Sequence, residues 1–400
     1  MSIVGKFNNL EYIMTELSEI PISSFVRFPK RKKWHVNKKI IKICNELGYP
    51  VIFRSDDDED GLGKSFAGYN DSKVVESEEE IEEALNIVRY GTNKTPDEVE
   101  IMQKYAESRG MKLNLGWKDF GIQKYNKSTL NVILTQHPHI EDSFLIDIKY
   151  DWHRGTSENL GGIASLDTVK DFVRDIIGDG TGETHLHADP KKLEEELIIA
   201  IEHHKKIKSL PEYKNDGIAY QEELTIFPYT VSQWRPCRKI EIADFNVYDV
   251  APKPNRKNIF EIPLVFGIAP KEGIELLHFP VPKRISQIYK EYHSGKDPYA
   301  SFFENNEFLL ETGVSVVYSL GTLGKEGLYN HLESRKKLPD VSLFFRDEGK
   351  GIQSHSEFRV LERGTLVGFT LEFPHLEFNG DKAHYWSDGR KGIIKFEKIT

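Results

Sequence analysis

Two arginines, a glutamate and two glutamines carry most of the chemistry on offer in this 400-residue chain. Arg54 ends the apolar run Val51-Ile52-Phe53 and is followed by an acidic, glycine-bearing stretch and then Ser65-Phe66-Ala67-Gly68. A strand that ends in arginine delivers a planar guanidinium to a fixed place, where it can grip a phosphate with two parallel hydrogen bonds. Glycines beyond it let the backbone approach a ligand closely. The plainer reading is an exposed acidic turn whose arginine pairs with its own aspartates. Arg235 sits in the second such stretch, Ala219 to Arg235, where two alternating runs meet at Phe227-Pro228. This is the pattern of a hairpin. Period-two geometry puts Gln221 and Glu223 on one face of the first strand, and Gln233 and Arg235 on one face of the second. A carboxylate, amides and a guanidinium converging on one face can hold Mg²⁺ and the polyphosphate of a nucleotide. An ordinary amphipathic hairpin has the same alternation.

Three further groups invite chemistry. Gly5-Lys6 places a lysine after a glycine turn, where it can reach a phosphate as a point charge. The run Gly349 to His355 places an imidazole where a helix begins, and a phosphate carried there would be favoured by the helix N-terminus. A histidine that merely caps a helix reads the same way. The pairs His137/His139 and His185/His187 have the spacing of two imidazoles on one strand face, but nothing in the spacing supplies the further ligand of a zinc site. His203-His204 falls on a charged helix and is expected to be solvated. Gly161-Gly162 and Gly178 to Gly182 are expected to be turns, and neither has the P-loop form.

The elements that must position these groups follow from periodicity. Asn37 to Leu47 reads as an amphipathic helix ended by Gly48, Ser77 to Val88 as an acidic helix, and Pro190 to Lys208 as a long amphipathic helix with Leu193, Leu197, Ile198 and Ile201 inward. A further helix is expected from Thr95. Leu130 to Gln136 and Ser143 to Lys149 read as strands. Beyond residue 240, strands are expected within 260–282, at Gly313 to Leu320, Val341 to Phe345 and Gly392 to Phe396, with helices at Arg284 to Tyr292 and after His355.

Arg54-Ser55, an acidic linker and Ser65-Phe66-Ala67-Gly68 resemble the nucleotide-binding domain of the phosphoenolpyruvate synthase and pyruvate phosphate dikinase family, whose strand ends in R-S-S before S-F-A-G. The second serine is Asp56 here. Gly5-Lys6 and Asn9-Leu10 resemble that family's opening G-G-K-x-x-N-L, with Val4 in place of the first glycine. Gln221-Glu222-Glu223 and Gln233-Trp234-Arg235-Pro236 resemble its closing D-I-E and Q-x-R-P, with Gln221 in place of the aspartate. The His355 run and the tail around Ser387-Asp388-Gly389 are similar to the family's mobile phosphohistidine domain.

The resemblance implies a mixed α+β or α/β chain. An ATP-grasp-like nucleotide-binding domain would span residues 1–240, a linker or small intermediate module 241–310, and a swivelling phosphohistidine-like α/β domain 311–400. It implies a PEP-utilising type of ATP-dependent phosphotransferase, a kinase-like enzyme that splits ATP to AMP and phosphate through a phosphohistidine and lacks the acceptor barrel. In those terms Lys6, Arg54, Ser65, Gln221, Glu223, Gln233 and Arg235 bind the nucleotide, Glu223 and Gln221 hold Mg²⁺, and His355 and Arg235 are catalytic. The acceptor would be a small molecule or a protein. An ATP-grasp ligase forming an acyl phosphate, and a non-catalytic nucleotide-binding regulatory protein, stand as alternatives.

Composition narrows the partners. A formal charge of −9 argues against a general nucleic-acid binder, and the basic run Lys30 to Lys33 also reads as a solvated turn. Cys44 and Cys237 lie far apart without metal spacing, which suits a reduced, cytoplasmic protein. The N-terminus lacks the layout of a signal peptide. No apolar run approaches the ~20 residues of a membrane span.

Overall fold

The computed structural model describes residues 5–29, 36–56, 72–90, 119–126, 130–137, 140–149, 159–177, 188–214 and 219–236, with the short strands at 60–61 and 64–65 and a set of strands between 261 and 397. In chain order the elements are α1 (Lys6–Glu16), β1 (Phe25–Phe28), α2 (Lys38–Leu47), β2 (Val51–Asp56), β3 (Asp60–Gly61), β4 (Lys64–Ser65), β5 (Lys73–Val75), α3 (Ile81–Tyr90), β6 (Asp119–Lys124) and β7 (Leu130–Gln136). There follow β8 (Phe144–Lys149), β9 (Asn159–Ala164), α4 (Val169–Ile177), α5 (Pro190–Lys208), β10 (Tyr220–Ile226) and β11 (Thr230–Pro236). The remaining strands are β12 (Glu261–Leu264), β13 (Phe266–Gly267), β14 (Ile274–Phe279), β15 (Ser315–Leu320), β16 (Val341–Phe345), β17 (Leu366–Thr370), β18 (Lys382–Ser387) and β19 (Gly392–Glu397). The mixed helix-and-strand class expected from the sequence is what the chain adopts. Among the described residues, no helix is long and apolar enough to cross a membrane.

The chain divides into two compact units. The first joins residues 1–135, 150–152 and 187–238. Its first sheet is antiparallel in the order β1-β6-β2-β5. Strand alternation sends Val51 and Phe53 to one face, where they meet Ile40, Ile43 and Cys44 of α2 and Ile81, Ala84, Leu85 and Val88 of α3 in one buried core. Both helices begin and end where local chemistry dictates. Asn37 Oδ1 accepts hydrogen bonds from the Lys39 and Ile40 amides at the start of α2, and Gly48 closes it at φ 74°. Ser77 precedes a single 3₁₀ turn, Glu78–Glu80, that runs into α3.

The opposite face of that sheet carries α1. A Cβ on Gly121 would sit 2.2 Å from the Phe7 ring, so glycine at the centre of β6 lets α1 lie directly on the sheet. The segment after α1 then clips to the hairpin: Ser23 N donates to Val231 O at 2.9 Å and Val231 N to Pro21 O at 2.8 Å. Gln123 Nε2 donates to Ser232 O at 3.0 Å from the sheet itself. These bonds bring β11 alongside the first sheet.

The hairpin β10–β11 pairs β7 on its other side, all antiparallel. Behind it lies α5, which Asp189 caps by accepting from the Lys191 and Lys192 amides and which Pro190 begins. Leu193, Leu197, Ala200, Ile201, His204 and Ile207 form its buried stripe. Ile198, expected inward, is half-buried. Tyr220 stacks on Trp234 at 5.3 Å between ring centroids, and Tyr213 meets both. Tyr213 Oη donates to Asn9 Oδ1 at 2.8 Å, which ties the turn after α5 to α1.

The second unit joins residues 136–149, 153–186 and 239–400. Strands β8 and β9 pair antiparallel from Phe144↔Ala164 to Lys149↔Asn159. Gly161-Gly162, expected to be a turn, lies inside β9. A Cβ on Gly162 would stand 2.8 Å from the Phe172 ring, so this glycine admits α4 onto the strand. The large sheet runs β12-β19-β18-β14-β15-β16-β17-β13, and its strands at 261–279 and 315–397 belong to one layer. Strands β14 to β17 are parallel and the flanking pairs antiparallel. The strands expected at Gly313–Leu320, Val341–Phe345 and Gly392–Phe396 are present. The helices expected from Thr95, at Arg284–Tyr292 and after His355 lie outside the described residues.

Candidate functional site

Strand register in the first unit decides which polar groups meet. Arg54 pairs with Gly121, and Gly121 with Arg27, so both arginines stand on one face of the first sheet with a glycine between them. On the hairpin, Gln221 pairs with Arg235 and Glu223 with Gln233, and a bulge follows at Glu223/Leu224. The residues expected on one face of each strand are therefore direct neighbours across the hairpin.

The two strand systems meet at these side chains. Arg54 Nη1 donates to Gln233 Oε1 at 2.8 Å. Its Nη2 lies 3.5 Å from Glu223 Oε2, and Arg235 Nη2 lies 3.7 Å from Glu223 Oε1. Arg235 Nε donates to Gln221 Oε1 at 2.7 Å, and its Nη2 donates to the same oxygen. Thus two guanidinium charges face one carboxylate. The Arg54 and Arg235 side chains are 15% and 11% exposed and that of Glu223 27%, which opens the cluster on the carboxylate side. Among the described residues, neither Arg54 Nε nor Gln233 Nε2 finds an acceptor, although both atoms are buried. An unmet buried donor costs about 1–3 kcal/mol, so the arrangement is poised for a ligand rich in oxygen acceptors. The short hairpin β3–β4 pairs Asp60 with Ser65 and lies beside β11, close to the strand that carries Gln233 and Arg235.

Lys6 lies at the start of α1. It is 8% exposed in the first turn of α1, where its charge acts on Asp56. His355 lies outside the described residues, as do His139, His185, His187, Cys237 and Gly178 to Gly182. His137 is buried, and its Nδ1 accepts from the Ile140 amide at 2.9 Å. His204, expected to be solvated, is 1% exposed, with Nδ1 3.1 Å from Glu222 Oε2. Tyr229 Oη donates to Glu222 Oε1 at 3.1 Å on the same reverse face of β10. Burial pushes the Tyr229 hydroxyl well up, with Glu222 adding to the effect. Burial also pushes the Cys44 thiol up to about 11, which leaves it a packing group and no nucleophile.

A divalent cation needs oxygen ligands that are not already engaged. Gln221 Oε1 is turned to Arg235, and among the described residues no group of three acidic, histidine or cysteine side chains could hold a metal. Glu223 lies 3.5 and 3.7 Å from the two guanidiniums, and one carboxylate together with phosphate oxygens and water is the usual Mg²⁺ environment. Among the described residues, Glu223 is the carboxylate at the arginine cluster that fits a cation arriving with a polyphosphate.

Arg27 was not evident from the sequence as part of this region. It hydrogen-bonds Asn8 Oδ1, lies 2.9 Å from Asp56 Oδ2 and reaches Asp119 Oδ2 at 3.3 Å. Only its alternation within Phe25–Phe28 hints that it shares a face with other polar groups.

No protein-family model matches the chain, and no curated protein is found to be similar. Solved structures do resemble it at low identity. A dinucleotide-forming acetyl-coenzyme A synthetase from Ca. Korarchaeum cryptofilum, in complex with coenzyme A and Ca-AMPCP, is 12% identical with a TM-score of 0.33, over 59% of this chain and 93% of that one. D-alanine–D-alanine ligase from Bacillus anthracis, complexed with ATP, is 11% identical with a TM-score of 0.29, over 58% of this chain and 54% of that one. Carboxyaminoimidazole ribonucleotide synthase from Aspergillus clavatus, complexed with ATP, is 14% identical with a TM-score of 0.32, over 58% of this chain and 44% of that one. The chain spans about half the length of the last two proteins or less. Likeness of this degree assigns no activity, so function has to be argued from the site.

Proposed function

We propose that the N-terminal unit is an ATP-grasp-like nucleotide-binding module, and that the chain is an ATP-dependent enzyme. The carrying observation is the convergence of Arg54 and Arg235 on Glu223, with buried donors on Arg54 and Gln233 that find no acceptor among the described residues. A triphosphate supplies those acceptors and the negative charge that two guanidiniums need. Arg54 and Arg235 hold phosphate oxygens, and Gln233 Nε2 donates to one of them. Glu223 would hold the Mg²⁺ that comes with the nucleotide, which would supply neutralisation of phosphate charge.

The reaction we assign is of the ligase type. A carboxylate oxygen of the acceptor attacks the γ-phosphorus, the bond to the β–γ bridging oxygen breaks, and ADP departs with that electron pair, leaving an acyl phosphate. Positioning and charge neutralisation are most of what this step asks of a protein, and both lie within one unit. Transfer through a phosphohistidine would in addition need His355 brought to the same phosphates. The acceptor is a small molecule or a protein, and a cytoplasmic setting suits the free thiol of Cys44.

Product analysis separates the readings. With Mg-ATP and candidate carboxylates, ADP together with an acyl phosphate, or with the phosphate that water or an added nucleophile displaces from it, supports the ligase reading. AMP with an acid-labile protein label that disappears in His355→Ala would replace it by the phosphohistidine reading. ATP bound and left intact across all acceptors would point to a regulatory nucleotide-binding protein.

A further inference from the structure

The start of α1 carries a built polar cluster beside the arginine cluster. Gly5 precedes the helix at φ 99° and offers no side-chain cap. A carboxylate from another element takes that place. Asp56, the last residue of β2, accepts from the Phe7 amide at 3.4 Å through Oδ1 and also receives the Lys6 amide. It is 5% exposed. A Cβ on residue 5 would lie 2.7 Å from Asp56 Oδ1, so glycine is what lets the carboxylate come this close. Arg27 Nε lies 2.9 Å from Asp56 Oδ2, and the same guanidinium reaches Asn8 and Asp119. The first amides of a helix, a neighbouring lysine and an arginine make up the set of donors that binds phosphate in other settings. Here the negative charge at their focus is part of the chain.

We propose that Asp56 is an internal anion that closes the α1 N-terminus to phosphate, with Arg27 as the positioning residue that holds it there. Lys6 is then a counter-ion to Asp56 and no phosphate ligand. Resting on the nucleotide-binding reading, this confines the polyphosphate to the side of Arg54 and Arg235. Asp56 thereby sets which cations the nucleotide can use, and it fixes α1 two residues beyond Arg54 on the same strand.

The test uses the full chain in an Arg54→Ala background, so that the nucleotide site does not contribute and failure of the nucleotide reading leaves the result intact. Inorganic sulfate is the probe, with chloride at matched ionic strength as the reference. With Asp56 present, sulfate raises Tm over chloride only by the general stabilisation an excluded anion gives a folded protein, and that difference is the baseline for the variants. In Asp56→Ser the emptied N-terminus takes sulfate, and Tm rises by about 4 °C at ten times its Kd. Adding Lys6→Ala removes that rise. An Asp56→Ser chain that folds only when sulfate is present supports the proposal equally. An Asp56→Ser chain that ignores sulfate, folded or not, overturns it, as does a sulfate response of the same size with Asp56 in place.

Discussion

Glu222 and Glu223 are neighbours on β10 with opposite surroundings. Glu222 is fully buried, and both of its oxygens have partners near 3.1 Å, His204 and Tyr229. Glu223 stands on the other face, partly open, with guanidiniums at 3.5 and 3.7 Å that also serve other groups. The first carboxylate is closed off by the fold. The second is 27% exposed and faces two guanidiniums. One residue of register separates them, because successive side chains of a strand leave by opposite faces. Residue type alone does not separate these two carboxylates; the face of the strand does.

Glu222→Ala should have the largest effect on stability. It leaves His204 and Tyr229 without a common acceptor inside the protein, and the loss should be about 3 kcal/mol in urea denaturation. Glu223→Gln should lie within about 1 kcal/mol of the parent in the same measurement, since its pairs are long and partly solvated. A Glu223 variant as unstable as the Glu222 variant would erase the contrast. Tyr229→Phe sharpens it by removing one bond to Glu222, at about 1–2 kcal/mol.

Asp56 gives a subtler, pH-dependent effect. Burial raises its carboxyl above the ordinary 3.8, while Arg27, the Phe7 amide and Lys6 pull it back. A carboxyl raised on folding favours the folded state in its protonated form. Its contribution is therefore full below 3.8 and is lost as pH rises through the raised value. Asp56→Asn should flatten the stability–pH profile above 3.8, and an unchanged profile would contradict the burial argument. The smallest effect belongs to the exposed Lys42–Glu46 pair on α2, at 3.5 Å. Lys42→Ala should cost no more than about 0.5 kcal/mol.

Much of this arrangement is legible in the sequence because it depends on local periodicity. The hairpin and its co-facial pairs follow from alternation across Phe227-Pro228, and α2 follows from Asn37, an apolar stripe and Gly48. His204 was misread because lysines surround it. It nevertheless falls on the stripe Leu193, Leu197, Ala200, Ile201, Ile207, which the helical period would have located. The burial of Lys6 was not legible, because it depends on Asp56, 50 residues further along the chain. Nor was the strand role of Gly162, which depends on Phe172 packing over it. Arg27 joins the polar face only through its register with Gly121, and alternation within one strand does not reveal register between strands.

The central claim is that Arg54 and its partners hold a nucleotide polyphosphate. Titration calorimetry of the full chain with Mg-ATP tests it most directly, alongside Arg54→Ala. Loss of charge-assisted hydrogen bonds to phosphate should weaken binding by about 10- to 100-fold, with the folded state retained. Equal affinity for Mg-ATP in the two proteins, or no binding to the parent, would contradict the account.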